Sequence, residues 1–182
     1  MYSWALITGD TAETVDARHL RQALGAFPTG VCLVTTASIQ GKREGMTINS
    51  FSSVSLDPPL ILWSIRDDAR SADVFLGARS FNLSVLSCDQ QELASHFAKP
   101  ASDKFEQHAD QFDLADGQCP RLNDSVATFE CSTWARYQEG DHTILLGRVE
   151  RFTRNDKATP LLFHSGRMGS LWDLAQTLAR PA

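Results

Sequence analysis

Paired cysteines are missing from this sequence: Cys32, Cys88, Cys119 and Cys131 stand far apart, and no Cys-x-x-Cys unit occurs. That excludes a zinc knuckle and a dithiol redox centre. The histidines are as dispersed, with His19, His96, His108, His142 and His164 forming no His-x-x-x-His pair, so no metal site is expected. No apolar run nears the ~20 residues that span a bilayer, so no membrane association is expected. Met1 to Ile7 carries neither a basic flank nor a long apolar region, so a signal peptide is not expected, and unpaired thiols fit a reducing, cytoplasmic setting. Basic residues are in deficit, 17 against 22 acidic for a net charge of −5, and they are scattered, which argues against a nucleic-acid partner.

Three enzyme signatures are absent as well. No Gly-x-Gly-x-x-Gly follows a strand, no Walker lysine loop occurs, and no serine sits in a Gly-x-Ser-x-Gly elbow. A dinucleotide-binding Rossmann site, a P-loop and a serine hydrolase of that type are therefore unsupported. Internal repeats and low-complexity segments are also lacking. What remains is a chain of 182 residues, 42% hydrophobic and 21% charged, long enough for one sizeable core and too apolar for long disorder. We expect a flexible lead-in over residues 1–14 and one domain over residues 15–182.

Periodicity yields a strand-rich order. Asp16 is placed to cap a helix running to Ala26, with Leu20, Leu24 and Phe27 as its apolar stripe, and Pro28-Thr29-Gly30 stops it. The β-branched run Val31 to Ala37 reads as a strand, followed by a turn at Gln40-Gly41-Lys42. Leu60 to Ile65 is another strand, set off by Asp57-Pro58-Pro59, because proline interrupts ladder hydrogen bonding. Ser71 to Leu76 reads as a short helix with a serine N-cap, and Phe81 to Leu86 alternates as a half-buried strand.

Cys88 to Phe97 favours a helix, Asp103-Lys104-Phe105 a loop, and Asp113 to Asn123 an irregular surface crossing. Val126 to Tyr137 and His142 to Thr153 are two long strands joined by Gln138-Glu139-Gly140-Asp141, the strongest hairpin signal in the chain. A short strand at Leu161 to His164 and a helix from Ser170 to Ala179 finish it. Strands outnumber helices and seldom alternate with them, so an antiparallel β-barrel with peripheral helices is expected.

One stretch does not fit a buried strand. Gly45-Met46-Thr47-Ile48-Asn49-Ser50-Phe51-Ser52-Ser53-Val54-Ser55 holds five hydroxyl side chains and an asparagine among four apolar residues. Such a run supplies short donors and closely approachable backbone N–H groups, the equipment that holds phosphates and carbonyl-rich heterocycles. Read alone, it is better explained as a solvated edge strand, in which such hydroxyls are tolerated. A second unusual spot is Gly140-Asp141-His142-Thr143, where a histidine with an adjacent carboxylate flanks a tight turn; such a residue serves either as a site residue or as an exposed polar tip.

In their joint order, Phe27-Pro28-Thr29-Gly30-Val31, Gly45-Met46-Thr47 through Ser55 with Pro58-Pro59, Asp103-Lys104-Phe105, and Gly140-Asp141-His142-Thr143-Ile144 with Gly147 resemble the flavin reductase-like family. The likeness runs from about Leu20 to Leu171. It implies a mainly β fold, a split β-barrel of Greek-key, FMN-binding type. It also implies a homodimer that binds FMN or FAD, oxidises NADH or NADPH, and passes reduced flavin to a separate monooxygenase.

The resemblance also assigns roles. Met46, Thr47, Ile48, Asn49 and Ser50, with Ser53, Val54 and Ser55, form the wall on which the flavin ring and ribityl chain lie, with Thr29 and Thr36 nearby. Ser64 and Ser71 belong to the ribityl and phosphate side, and Ala98, Lys99, Lys104 and Phe105 to the phosphate end, where Arg70 is a further basic candidate. His142 orients the nicotinamide and Asp141 fixes its turn. Where the family often carries Gly-x-Tyr, this chain has Gly166-Arg167-Met168; Met168 then either covers the ligand or packs the last helix. A permanently bound FMN passing electrons to another acceptor, and a non-catalytic flavin-binding module, are the competing functions.

Overall fold

The β-branched run forms the strand from which the fold is built. In the computed structural model, which describes residues 16–100, 104–115 and 118–173, Cys32–Ala37 (β2) is buried on both faces and feeds two hydrophobic clusters. The expected lead-in over residues 1–14 lies outside the described residues. Ahead of β2 come a helix, Ala17–Gly25 (α1), and a two-residue strand, Thr29–Gly30 (β1). Asp16 caps α1 as expected, its carboxylate accepting from the backbone nitrogens of Arg18 and His19.

The stripe on α1 departs from expectation. No residue of the helix is buried, and Leu24 and Phe27 are 68% and 73% exposed, so the apolar period is real but no described part of the chain covers it.

After β2 follow Arg43–Ile48 (β3), Ser52–Leu56 (β4) and Pro59–Arg66 (β5), then a short helix Ala72–Gly77 (α2) and Ser80–Val85 (β6). A 3₁₀ turn at Cys88–Gln90 leads into Gln91–Phe97 (α3), and a second at Glu106–Gln111 leads into the paired strands Phe112–Asp113 (β7) and Arg121–Leu122 (β8). The long hairpin Ala127–Glu139 (β9) and His142–Arg154 (β10) turns at Gly140, whose φ of 65° is the conformation glycine supplies to two-residue hairpin loops. Leu162–His164 (β11) and Arg167–Gly169 (β12) add to β1 as a separate three-stranded sheet. The last expected helix begins at residues 171–173, capped by Ser170 and Asp173, and the rest of its expected span lies outside the described residues.

Seven strands make one antiparallel sheet in the order β3-β2-β6-β9-β10-β5-β4, so the mainly β architecture of a split barrel is borne out. Its two edge strands, β3 and β4, are consecutive in sequence and joined by Asn49, Ser50 and Phe51 alone, so the sheet must curl until its edges meet. The barrel interior is filled by Trp63, Phe75, Phe81, Leu83, Ile65 and Leu145, with the Trp63 ring edge-on to Phe75 and Phe81 at centroid distances of 5.1 and 5.8 Å. Outside the barrel, α3 and residues 104–115 and 118–122 close a second cluster of Leu33, Leu86, Leu93, Phe97, Phe105 and Phe112 over β2.

Three further expectations are corrected. β6 is not half-buried: its polar face, Asn82 and Ser84, is covered, with Asn82 donating to the carbonyls of Cys119 and Pro120 and Ser84 paired with Thr128. The 113–123 segment is a surface crossing only in part: Asp113, Ala115, Gln118, Arg121 and Asn123 are exposed, but Pro120 is buried and Leu122 reaches the core opposite Phe112. Ser71 occupies the N-cap position of α2 but makes no capping hydrogen bond with its side chain.

Candidate functional site

The hydroxyl-rich stretch is not a flat wall. It comprises an edge strand, a corner and the opposite edge strand, and its side chains divide accordingly. In β3, Met46 and Ile48 pair with Val34 and Cys32 on the barrel side, while Gly45 and Thr47 face α3. Gly45 is required there: a Cβ would stand 2.6 Å from Cε1 of Phe97. Thr47 Oγ1 donates to the Ala94 carbonyl of α3 at 2.8 Å, docking the helix.

At the corner, Ser50 Oγ accepts from the Ser64 N–H (3.0 Å) and donates to the Ser64 carbonyl (3.2 Å). One side chain thereby takes the place of a backbone rung where β4 no longer pairs β5. Asn49 and Ser53 are exposed beside it, Val54 is the extra residue of a β-bulge, and Ser55 Oγ accepts from the Asp57 N–H in the next turn.

Cross-strand register assembles the adjoining outer face of the barrel. Ile144 of β10 lies between Ser64 of β5 and Tyr137 of β9, and one rung along His142 lies between Arg66 and Glu139. His142 Nδ1 is 2.6 Å from Asp141 Oδ1. That hydrogen bond, then the charge of His142, hold the exposed Asp141 carboxyl below its ordinary range. An ionised carboxylate only accepts, so Nδ1 carries the proton, and Nε2 makes no hydrogen bond among the described residues. Gly140 supplies the left-handed backbone of the turn, and Asp141 bonds the ring through its carboxylate and Asp67 through its carbonyl.

The remaining candidates separate into three groups. Thr29 and Met168 flank Phe163 on one face of the small sheet, and Thr29 Oγ1 is buried without a hydrogen-bond partner. Thr36, Ile48 and Phe105 lie in the packed interior: Thr36 is 0% exposed and donates to the Ser80 carbonyl. Ala98 and Lys99 are exposed at the end of α3, and Arg70 is exposed near Lys104, close enough for its charge to act on that amine.

Lys104 Nζ donates to the carbonyls of Gly45 (3.1 Å) and Phe97 (3.0 Å), tying β3 to α3. Burial lowers its pKa, with Glu44 opposing that shift and Arg70 adding to it. A cleft of about 390 Å³ opens between the start of β3 and Lys104, Phe105 and Glu106. A larger one, about 570 Å³, lies over β6, β9 and β10 against Cys119, Glu130 and Glu150, and none of the expected site residues lines it.

Sequence reasoning missed Arg66 and Asp67. Arg66 is the cross-strand neighbour of His142, and Asp67 accepts from Thr143 Oγ1 at 2.7 Å. The charged run Arg66-Asp67-Asp68 directly after a strand was the available signal, but nothing in it points to a hairpin 75 residues on.

The chemistry of the donor set suits a flavin. Among the described residues, the side chains of Asn49, Ser53 and Ser64 make no hydrogen bond, the Ser71 hydroxyl caps nothing, and Thr29 Oγ1 is orphaned. Short neutral donors beside apolar Val54 and Ile144 match an isoalloxazine, which has carbonyls and ring nitrogens at one end and methyl groups at the other.

Comparison with known proteins agrees. Residues 24–171 match the family model described as flavin reductase like domain. FMN reductase (NADH) SmoA of Agrobacterium fabrum is 40% identical over 156 residues, covering 85% of this chain and 86% of its own. A probable flavin reductase of Rhizobium meliloti is 44% identical over 142 residues, 78% of this chain; the present chain spans 45% of that longer protein. NADH:FAD oxidoreductase SgcE6 of Streptomyces globisporus, solved with NAD and FAD fragments, has a TM-score of 0.78 at 39% identity, covering 84% of this chain and 91% of that one. BorF, the flavin reductase component of a bacterial two-component tryptophan halogenase, has the same TM-score at 38% identity, covering 86% of this chain and 98% of its own. With more than half of its length inside the family model and its barrel matched by solved relatives, the chain belongs to the flavin reductase like domain family.

Proposed function

We propose that this chain is an NADH:flavin oxidoreductase that reduces FMN or FAD and supplies the reduced flavin to a separate flavin-dependent monooxygenase. One observation carries the reading: unspent polar side chains sit at the barrel seam next to the face where His142 is held by Asp141. When both cofactors are bound, nicotinamide supplies a hydride and flavin accepts it, so no protein nucleophile is required. The chain's task is to hold two flat rings in register and exclude water.

Asn49, Ser53, Ser64 and Ser71 hold the flavin's polar edge, Val54 and Met168 its apolar surface, and Thr29 offers its orphaned hydroxyl. Lys99 and Arg70 provide positive charge for the phosphate. Lys104 contributes mainly by fixing β3, since two of its protons are engaged by carbonyls. His142 orients the nicotinamide through Nε2, with the ring's rotation fixed by Asp141. Thr36, Ile48 and Phe105 act from within the packed wall, by shaping it.

The working unit is a homodimer in the cytoplasm. An apolar stripe on α1 and exposed Trp134, Tyr137 and Phe152 give a second copy surface to cover. Among the described residues no helix is long and apolar enough to cross a membrane.

The test is steady-state oxidation of NADH and NADPH, followed by absorbance, with FMN, FAD and riboflavin as acceptors. Turnover with NADH by a colourless preparation is the expected result. A yellow protein with stoichiometric FMN identifies a prosthetic group instead, and flavin binding without nucleotide oxidation identifies a non-catalytic module.

A further inference from the structure

We propose that Asp67 is the positioning residue that holds His142 in place, an inference that rests on His142 orienting the nicotinamide. Asp67 follows the last residue of β5 and lies beneath the tip of the β9–β10 hairpin. Its Oδ1 accepts from Thr143 Oγ1 at 2.7 Å, its Oδ2 accepts from Gln138 Nε2 at 3.2 Å, and its N–H donates to the Asp141 carbonyl at 3.1 Å. Thr143 and Gln138 are cross-strand partners, so the carboxylate clamps both strands of one rung while the amide holds the turn.

Alternation along β10 gives that clamp its consequence. Thr143 is buried on the barrel side, and His142, its neighbour, leaves from the opposite face. The inner side chain is anchored and the outer one is displayed. β5 pairs β10 as far as His142, but the other flank is less supported: β6 stops pairing β9 at Ser132, and beyond it, among the described residues, the Thr133 N–H donates to the Arg79 carbonyl and the Thr133 and Arg136 side chains to the Ala78 carbonyl. The charged neighbours are otherwise engaged, Arg66 with Asp68 and Asp141 with His142, so neither takes Asp67 out of the clamp.

The requirement is for acceptor geometry, not for charge. Asn at position 67 keeps an oxygen for Thr143, and its amide can donate to Gln138 once that side chain turns its own oxygen inward. Ala keeps neither. The full-length protein is assayed for NADH oxidation with FMN as Asp67→Ala, Asp67→Asn, His142→Ala and the Asp67→Ala/His142→Ala double variant, with flavin affinity and Tm measured on each. Asp67→Ala is expected to lower kcat/KM for NADH roughly tenfold, as loss of placement does, without changing flavin affinity. Asp67→Asn restores most of that loss, and in the His142→Ala background Asp67→Ala adds nothing.

Thr143→Val, which deletes one hydrogen bond at near-constant volume, reproduces the defect in part and serves should Asp67→Ala not fold. Wild-type kinetics in Asp67→Ala, or a full additive loss on top of His142→Ala, overturns the inference. Wild-type kinetics in His142→Ala overturns the site reading beneath it, and is distinguished because that variant leaves Asp67 intact.

Discussion

Ser50 and Ser64 close the barrel: the Ser50 hydroxyl bridges the backbone N–H and carbonyl of Ser64 at 3.0 and 3.2 Å, at the point where the two edges of the seven-stranded sheet come together. A hydroxyl can accept and donate at once, which is what a missing strand would otherwise do.

Removing that bridge leaves two backbone groups of a half-buried residue without their partner. Ser50→Ala is expected to cost about 1–3 kcal/mol by the usual price of unsatisfied groups, and to loosen flavin binding through the corner that carries Asn49. Urea denaturation and flavin titration of the same variant check both parts.

Gly45 is fixed by a different constraint, close approach. A Cβ there would lie 2.6 and 2.8 Å from ring atoms of Phe97 and 3.1 Å from Phe105, both of them buried. Neither ring can move without disturbing the second core. Gly45→Ala is therefore expected to lose about 1–3 kcal/mol, the range for overpacking, read as a lowered urea midpoint.

Lys104 makes a pH signature. Burial lowers its pKa below the ordinary 10.5, so in the window between its folded value and 10.5 the unfolded chain binds more protons. Stability from this group therefore rises with pH through that window, and the cost of burying the charge is fully present below it. A neutral amine still has two N–H groups for the carbonyls of Gly45 and Phe97. The Tm of wild type relative to that of Lys104→Met is expected to rise as the pH climbs toward 10.5.

The thiols separate by burial. Cys32 and Cys131 are pushed up to about 12 by desolvation, with Glu150 and Glu130 adding to the second. Labelling the native protein at pH 8 with a thiol reagent should spare both, and denaturation should release them.

How far the sequence reveals this molecule depends on the distance over which each interaction acts. The hairpin at Gly140, the helix cap at Asp16 and the strand Cys32–Ala37 were legible because turn, cap and β-branched signals are local. The burial of β6 was not: Asn82 looks solvent-facing until Cys119 and Pro120, nearly forty residues later, bond it, and Ser84 until Thr128 pairs with it. The stripe on α1 misled in the opposite sense, since a period shows which face is apolar and not what covers it. At the site, His142 and the polar corner could be named from their resemblance to a family. Arg66 and Asp67 could not, because register alone brings β5 beside β10. Thr36 and Phe105 carried site-like identities into packed positions, which residue type does not reveal.

The central claim is that the polar corner between β3 and β4 is the wall that holds flavin. Flavin fluorescence quenching measures it directly on an Asn49→Ala/Ser53→Ala variant, whose two side chains are exposed and make no hydrogen bond among the described residues. Losing two hydrogen bonds of about 1 kcal/mol each predicts flavin affinity weakened roughly 10- to 30-fold, with Tm unchanged. Wild-type affinity in that variant would contradict the account and return the stretch to an ordinary pair of edge strands.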